Sequence, residues 1–353
     1  MAAQGYSTAT SRNLIRAAQG MLEHAQPITV LGDFGSQKEM PQKNTDTLVF
    51  RRTLPFGATA AGITVSNMTQ YQGAPIINAP DFIIGEGVTP NANTISFQDV
   101  SVTLQNWGVL YKFTSKTELL YEDDVPAEMQ KQTGEALGEC LELVRYGVYK
   151  AGTSVIYANG SSRASVNTPI SINRLRQAQR VLDSNRAKKV TSRLAPSVNF
   201  STKAVQPAFI VFHHTDANAD VRNLPNFTRV EDYGSFKPIH DMEIGACEEF
   251  RFIASPLLLP FLAAGSATLN SSLSRAGSNV DVYPYLIIGE DAWGSVALKG
   301  MSAITPRIIP SSVINHANPM GLFGYVGASC WYNAVRLNEA WTVRLEAAVS
   351  DLS

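Results

Sequence analysis

The sequence is short of charge over one long stretch. From Thr53 to Ser115 only four side chains are charged: Asp81, Glu86, Asp99 and Lys112. At the chain-wide 17% there would be about eleven if charge were spread evenly over a solvated surface. The stretch is also rich in Gly, Pro, Thr and Asn, so it is too polar for a plain core. Cysteine is scarce as well. Cys140, Cys247 and Cys330 are odd in number and widely spaced, and they form neither a zinc pattern nor a disulfide framework. Three buried thiols in a reducing compartment are the expectation. Long apolar runs are missing. "FIASPLLLPFLAAGSA" is interrupted by proline, which leaves no transmembrane helix, and "MAAQGYSTATSRNLIRAAQGM" lacks the apolar run of a secretory signal. The net charge of −1 over 353 residues argues against a strongly basic nucleic-acid binder and a polybasic membrane protein. Hydrophobic content of 44% argues against general disorder.

Catalytic motifs are absent too. There is no HExxH, no Gly-x-Ser-x-Gly elbow and no Walker loop, and the lone Gly-x-Gly of "GEGVTP" reads as a turn. His213 and His214, followed by Asp216 and Asp220, form one conceivable metal site, which would make the chain a metal-dependent hydrolase. Adjacent residues on a strand point to opposite faces, so two imidazoles there cannot easily reach one ion. Partly exposed histidines at a strand end are the expectation. Glu122, Asp123 and Asp124 could be catalytic carboxylates, but acids are favoured at a helix N-terminus for electrostatic reasons alone. Arg174, Arg176, Arg180, Arg186, Lys188, Lys189 and Arg193 have only Asp183 against them. They read as a solvated helix face and a basic loop, since no tryptophan interleaves with them as nucleic-acid stacking would need. No catalytic residue, metal ligand or cofactor site is assigned.

What is present is a series of parts. Leu14, Ile15, Ala18, Met21, Leu22 and Ala25 have helical spacing on one face, predicting a terminal helix over 11–25 whose apolar face needs a partner. "NTDTLVFRR" predicts a strand. In "VSVTLQNWGVLYKF" the apolar alternation changes phase near Asn106, predicting a bulge. Residues 45–113 therefore read as a long hairpin that closes near its own start. "SKTE", Ser115 to Glu118, predicts a capping box. "DDVPAE" opens a helix of roughly 28 residues, about 40 Å long. Gly134, Gly138 and Gly147 in it predict a close neighbour. "SINRLRQAQRVLDSNRA" predicts a third helix capped by Ser171. Strands are predicted at "PAFIVFHH", "EEFRFIAS", "VYPYLIIG", "GSVALKG" and "FGYVGASCWYNAVRL", and "AWTVRLEAAV" predicts a half-buried strand. Helices and strands in separate runs make the fold class α+β.

The order of these parts resembles the major capsid proteins of tailed double-stranded-DNA bacteriophages, a podophage-type family whose fold is shared with the floor of herpesvirus capsids. The resemblance covers nearly the whole chain. It rests on "FGSQKEMPQKNTDTLVFRR", "GEGVTP", "VTLQNWGVLYKFTSKTELLYEDD", "YANG", "NRLRQAQRVLDSNRA", "HHTDANADVRNLPNF", "YGSFKPIHDMEIGACEEFRFIASP", "YPYLIIGEDAWGSVALKG" and "RLNEAWTVRLEAAV", in order. It implies an N-terminal arm at 1–44 and an extended hairpin loop at 45–113 lying over a neighbouring subunit. A peripheral domain with its spine helix would occupy 114–167, an axial domain 168–305, and returning peripheral strands 306–353. A loop buried between subunits must shed charge, which accounts for the deficit.

The implied function is that of a non-enzymatic shell protein without cofactor or membrane. It would assemble with itself as pentamers and hexamers in the bacterial host cytoplasm and reside in the virion. A separate scaffolding protein, a portal and a possible decoration protein would be partners, and the packaged duplex DNA would be held without sequence-specific binding. Some relatives form Lys–Asn bonds between subunits, and Lys112 and Asn106 flank the hairpin. An encapsulin-like bacterial compartment shell is the nearest alternative. Arg51 and Arg52 stand where charge gives way to the charge-poor stretch. With Glu122, Asp123 and Asp124 they are expected at an inter-subunit contact, one arginine facing inward and one outward.

Overall fold

A computed structural model describes residues 29–43, 45–53, 82–89, 95, 97–121, 124–194, 202–233, 238–267, 272–275, 277–299 and 307–352, without the side chains of 192–206. The helix expected over 11–25 and the middle of the charge-poor stretch lie outside these residues.

The first part of the chain holds β1 (Ser36–Met40), β2 (Thr47–Thr53), β3 (Phe97–Thr103), β4 (Gln105–Thr114), α1 (Ser115–Leu120), α2 (Val125–Lys150) and β5 (Val155–Tyr157). The middle holds α3 (Ile172–Ser184), β6 (Val190–Leu194), β7 (Thr202–His213), α4 (Asn218–Arg222), β8 (Phe227–Arg229), β9 (Glu243–Cys247) and β10 (Phe250–Ala254). The last part holds β11 (Tyr283–Ile288), β12 (Trp293–Leu298), β13 (Arg307–Ile309), β14 (Phe323–Arg336) and β15 (Thr342–Ala347).

Strands β2 and β3 form a two-stranded antiparallel ribbon, with Thr47 opposite Thr103 and Thr53 opposite Phe97. Leu48, Phe50, Val100 and Val102 share one face of it and pack on Met40 and Val296. The change of phase near Asn106 is not a bulge within one strand. It marks a change of partner: the chain breaks at Leu104, and β4 leaves the ribbon to pair with β14 from Gln105 to Thr114. Leu104 is buried and its N–H donates to Asp46, so the break is itself anchored.

Helix α1 starts one residue earlier than the capping box predicts. Thr114 is the cap, accepting from the Thr117 N–H, and Glu118 accepts from the Ser311 N–H instead of closing a box. Helix α2 begins as expected, with Asp124 accepting from Ala127 and proline in the first turn. Its 26 residues span about 39 Å and bury Met129, Leu137, Leu141, Tyr146 and Tyr149. At Gly134 and Gly147 the predicted close neighbour is missing: a methyl group at either would meet nothing within 4 Å among the described residues. In α3 the stripe Leu175, Ala178, Val181 and Leu182 is buried, while Ser171 holds the cap position without a side-chain bond.

Two larger sheets complete the fold. The five-stranded sheet runs β1-β12-β14-β13, with β4 on the opposite edge of β14. The eight-stranded mixed sheet runs β5-β15-β11-β7-β10-β9-β8, with β6 also on β7. Alternation along β7 splits the core in two. Ala208, Ile210 and Phe212 join α2, Trp293 and the inner face of β14. Phe209 and Val211 join α3 and the apolar side of β15. The eight-stranded sheet is thus covered on both faces. That corrects the half-buried reading of β15. It lies between β5 and β11, and Glu346 on its polar side is fully buried. Of the three thiols Cys247 and Cys330 are buried and Cys140 is half-buried.

Candidate functional site

Strand register fixes the environment of the two arginines. Arg51 lies opposite Asp99 on the outer face of the ribbon, and Arg52 lies opposite Gln98 on the face toward the core. Arg51 forks onto Asp99, Nε to Oδ1 at 2.8 Å and Nη2 to Oδ2 at 2.9 Å. The Arg51 hydrogen bond lowers the Asp99 carboxyl below its ordinary pKa, and the Arg51 guanidinium is raised in turn. Both side chains remain open to solvent, 64% and 44% exposed. Arg52 is half-buried, donates to Gln98 Oε1, and is lowered by burial. One arginine outward and one inward is the arrangement that strand geometry requires. Of the acidic group before α2 only Asp124 is among the described residues, and it does not pair with either arginine. Asp124 is spent on capping that helix, and Glu122 and Asp123 lie outside the described residues.

The histidines do not make a metal site. His213 is wholly buried, stacks on Tyr285 at 5.8 Å, and shares a hydrogen bond with Asn218 through Nε2. His214 is also buried, points away, and accepts from the Asp216 N–H through Nδ1. The expectation of partial exposure is therefore wrong, because the loops after β7 and β10 fold over this strand end. Asp216 is taken by Arg275 and the Tyr283 hydroxyl, and Asp220 by the Ser350 N–H. Among the described residues no three His, Cys, Asp or Glu side chains could hold an ion together.

The basic run finds acids that the linear sequence hides. The turn between β9 and β10 brings Glu248 to Arg176 at 2.5 Å and Glu249 to Lys189 at 2.8 Å. Arg174 donates to the Ala158 carbonyl. Lys112, which flanks the hairpin, sits 3.8 Å over the Phe323 ring. It lies six positions along β4 from Asn106, about 20 Å at strand rise, so the two cannot bond within one subunit.

Exposed apolar surface is the feature that sequence reasoning missed. Leu119 and Leu120 of α1 are exposed, and so are Ile314, Met320 and Leu322 of the loop between β13 and β14. The loop is built, not slack. Asn318 donates to the carbonyls of Ser311, Val313 and Phe323 and accepts from the Leu322 N–H. The Ser115 N–H donates to Leu322, which holds α1 beside it. Phe82, Ile83, Ile84 and Val88, inside the charge-poor stretch, are exposed as well. Apolar patches held out in this way are characteristic of surfaces that meet another protein. "GEGVTP" makes the turn expected, with Gly87 at positive φ.

No protein-family model matches the chain. The major capsid protein of Pseudomonas phage KPP21 is 21% identical to it, over 81% of this chain and 77% of its own. The capsid of Ralstonia phage GP4 matches its structure over 100% of both chains, with a TM-score of 0.62 at 9% identity. The cyanophage Pam1 capsid matches over 99% of this chain and 100% of its own, with a TM-score of 0.60 at 12% identity. The capsid of cyanophage P-SCSP1u matches over 98% and 97%, with a TM-score of 0.58 at 12% identity. Two sheets gathered around one long helix, with a ribbon and exposed apolar loops at the margins, are the α+β fold of the phage capsid proteins, and this chain has that fold.

Proposed function

We propose that this chain is a major capsid protein of a tailed phage, which assembles with itself into the icosahedral shell around a double-stranded DNA genome. The match to the KPP21 major capsid protein along four-fifths of the chain carries the reading. The exposed apolar loops support it, because they need covering by other subunits. In this reading residues 1–44 are the N-terminal arm and 45–113 the extended hairpin loop. Residues 114–167 and 306–353 form the peripheral domain, and 168–305 the axial domain. The ribbon of β2 and β3 is the base of the hairpin, and α2 is the spine helix. Arg51, on the outer face of the ribbon, with Arg52 and the group Glu122, Asp123 and Asp124, belongs to inter-subunit contacts.

The protein works without catalysis or cofactor in this role. Pentamers and hexamers form in the host cytoplasm with a separate scaffolding protein and a portal, and a decoration protein is compatible with the shell. Paired acids on the basic run favour holding DNA by confinement over a neutralising lining. No observation favours an encapsulin-like compartment or a hydrolase. The test is electron microscopy of the protein expressed with its head-assembly proteins. Icosahedral particles are expected, and packaged DNA separates a phage head from a bacterial compartment. A monodisperse monomer under those conditions sinks the reading.

A further inference from the structure

At the end of helix α2 two arginines share one carboxylate, and a lysine lies beside them. Arg163 donates Nε and Nη2 to the two oxygens of Glu346, both at 2.8 Å. Arg344 donates Nε to the same carboxylate at 2.7 Å, and its Nη1 to the backbone carbonyls of Lys150 and Gly152. Glu346 is fully buried and both of its oxygens accept from the two arginines, and a third cation stands beside them. That third cation is Lys150. Its ammonium lies 4.6 Å from the Tyr146 ring and 5.3 Å from the Phe261 ring. The Arg163 guanidinium covers the same Phe261 ring at 3.6 Å.

Among the described residues the charges at this place do not balance. The helix C-terminus offers about half a negative charge, and Arg344 already occupies its carbonyls. Among the described residues Lys150 has no carboxylate partner, and Nη1 of Arg163 has no acceptor. Both side chains are partly open to solvent, that of Arg163 by 33%. Burial, then the charges of Arg163 and Arg344, lower the Lys150 ammonium below its ordinary pKa, as befits a cation short of a partner.

We infer that Lys150 and Arg163 are the receiving half of a salt bridge between subunits, and that they take a carboxylate from a second copy of this chain. The inference rests on the shell reading. A carboxylate suits the site because it can accept from an ammonium and from one edge of a guanidinium together, and such charge-assisted bonds are stronger than neutral ones. A second copy suits it because the chain as a whole carries 30 acids against 29 bases, so cations in excess here are matched by acids in excess elsewhere. Glu135 and Glu139 on α2, and Glu231 and Asp232 before β9, have no ion-pair partner among the described residues. Duplex DNA fits less well, since binding it takes a row of cations and here only Lys150 and one edge of Arg163 are open.

The experiment compares the parent, Lys150→Met and Lys150→Arg, each expressed with the head-assembly proteins. Methionine keeps the aliphatic stem on the two rings and removes the charge. Its isolated subunit should melt like the parent, its particle yield should fall several-fold, and Lys150→Arg should recover the yield. A cryo-EM map of parent particles should place a neighbour's carboxylate within about 4 Å of Lys150 Nζ. The contact is overturned by Lys150→Met particles in parental yield, or by a map in which the ammonium faces solvent or DNA. Particles from parent and variant alike sink this contact and leave the shell reading intact, whereas a parent without particles overturns both.

Discussion

Glu142 and Leu31 are 111 positions apart, and the Leu31 N–H donates to the Glu142 carboxylate at 2.7 Å. The same oxygen accepts from Val30 at 2.8 Å, and the other accepts from Arg145 at 2.9 Å. Arg145 goes on to the Tyr332 hydroxyl at 2.6 Å. One buried carboxylate thus ties the turn before β1 to the long helix and, through Arg145, to β14. Removing it leaves Arg145 buried without its charge partner, which typically costs about 3–5 kcal/mol. Glu142→Ala should lower the urea midpoint accordingly and speed hydrogen exchange at Val30 and Leu31. Glu142→Gln keeps an acceptor and should cost less. An alanine variant with the parental midpoint would show the carboxylate to be idle.

His213 gives the subunit an acid-sensitive stability. Burial lowers its imidazole to about 4 from an ordinary 6.5. The folded protein therefore keeps His213 neutral where the unfolded chain protonates it. The stability is whole above pH 6.5, falls as pH drops toward 4, and levels below that. A shift of this size corresponds to roughly 3 kcal/mol. His213→Phe keeps a ring against Tyr285 and cannot take the proton. Melting temperatures between pH 7 and 5 should fall less steeply in this variant, and equal slopes would reject the assignment.

Arg51 and Arg52 should fail in different assays. The Arg51 pair with Asp99 is exposed, and exposed pairs contribute little to folding. Arg51→Ala should leave melting of the isolated subunit unchanged and lower particle yield. Arg52 packs its stem on the core side of the ribbon, so Arg52→Ala should lower the melting temperature of the subunit. If both variants melt and assemble like the parent, neither arginine matters at an interface.

Gly35 is irreplaceable for two reasons. Its φ is +100°, and a methyl group there would stand 2.6 Å from the Trp293 carbonyl oxygen and collide with the indole ring. Trp293 is buried, stacks on Tyr149 at 3.7 Å, and donates its ring N–H to Phe34. Gly35→Ala should shift that stack, quench less or more of the tryptophan fluorescence, and lower the melting temperature by several degrees. A parental spectrum and melting curve would contradict the account.

Periodicity alone determined much of this protein. The stripe of α3, the start of α2 at Asp124 and Pro126, and strands β7, β10, β11, β12, β14 and β15 follow from spacing, because spacing decides which side chains a helix or strand can bury together. Strand alternation likewise decided that Arg51 and Arg52 face opposite ways. Tertiary structure decided the pairings. Leu104 ends one strand and starts another only because β14 is there to receive β4. Glu248 and Glu249 neutralise a basic run that stands alone in the sequence, and Arg163 and Arg344 bury a glutamate that alternation assigned to solvent. Apart from Arg344 and Glu346, which share one face of β15, these contacts join residues tens to hundreds of positions apart, and no local spacing encodes them. The charge-poor stretch lies between the two cases: its composition is plain in the sequence, and in the shell reading proposed above it is other subunits that cover its exposed Phe82, Ile83, Ile84 and Val88.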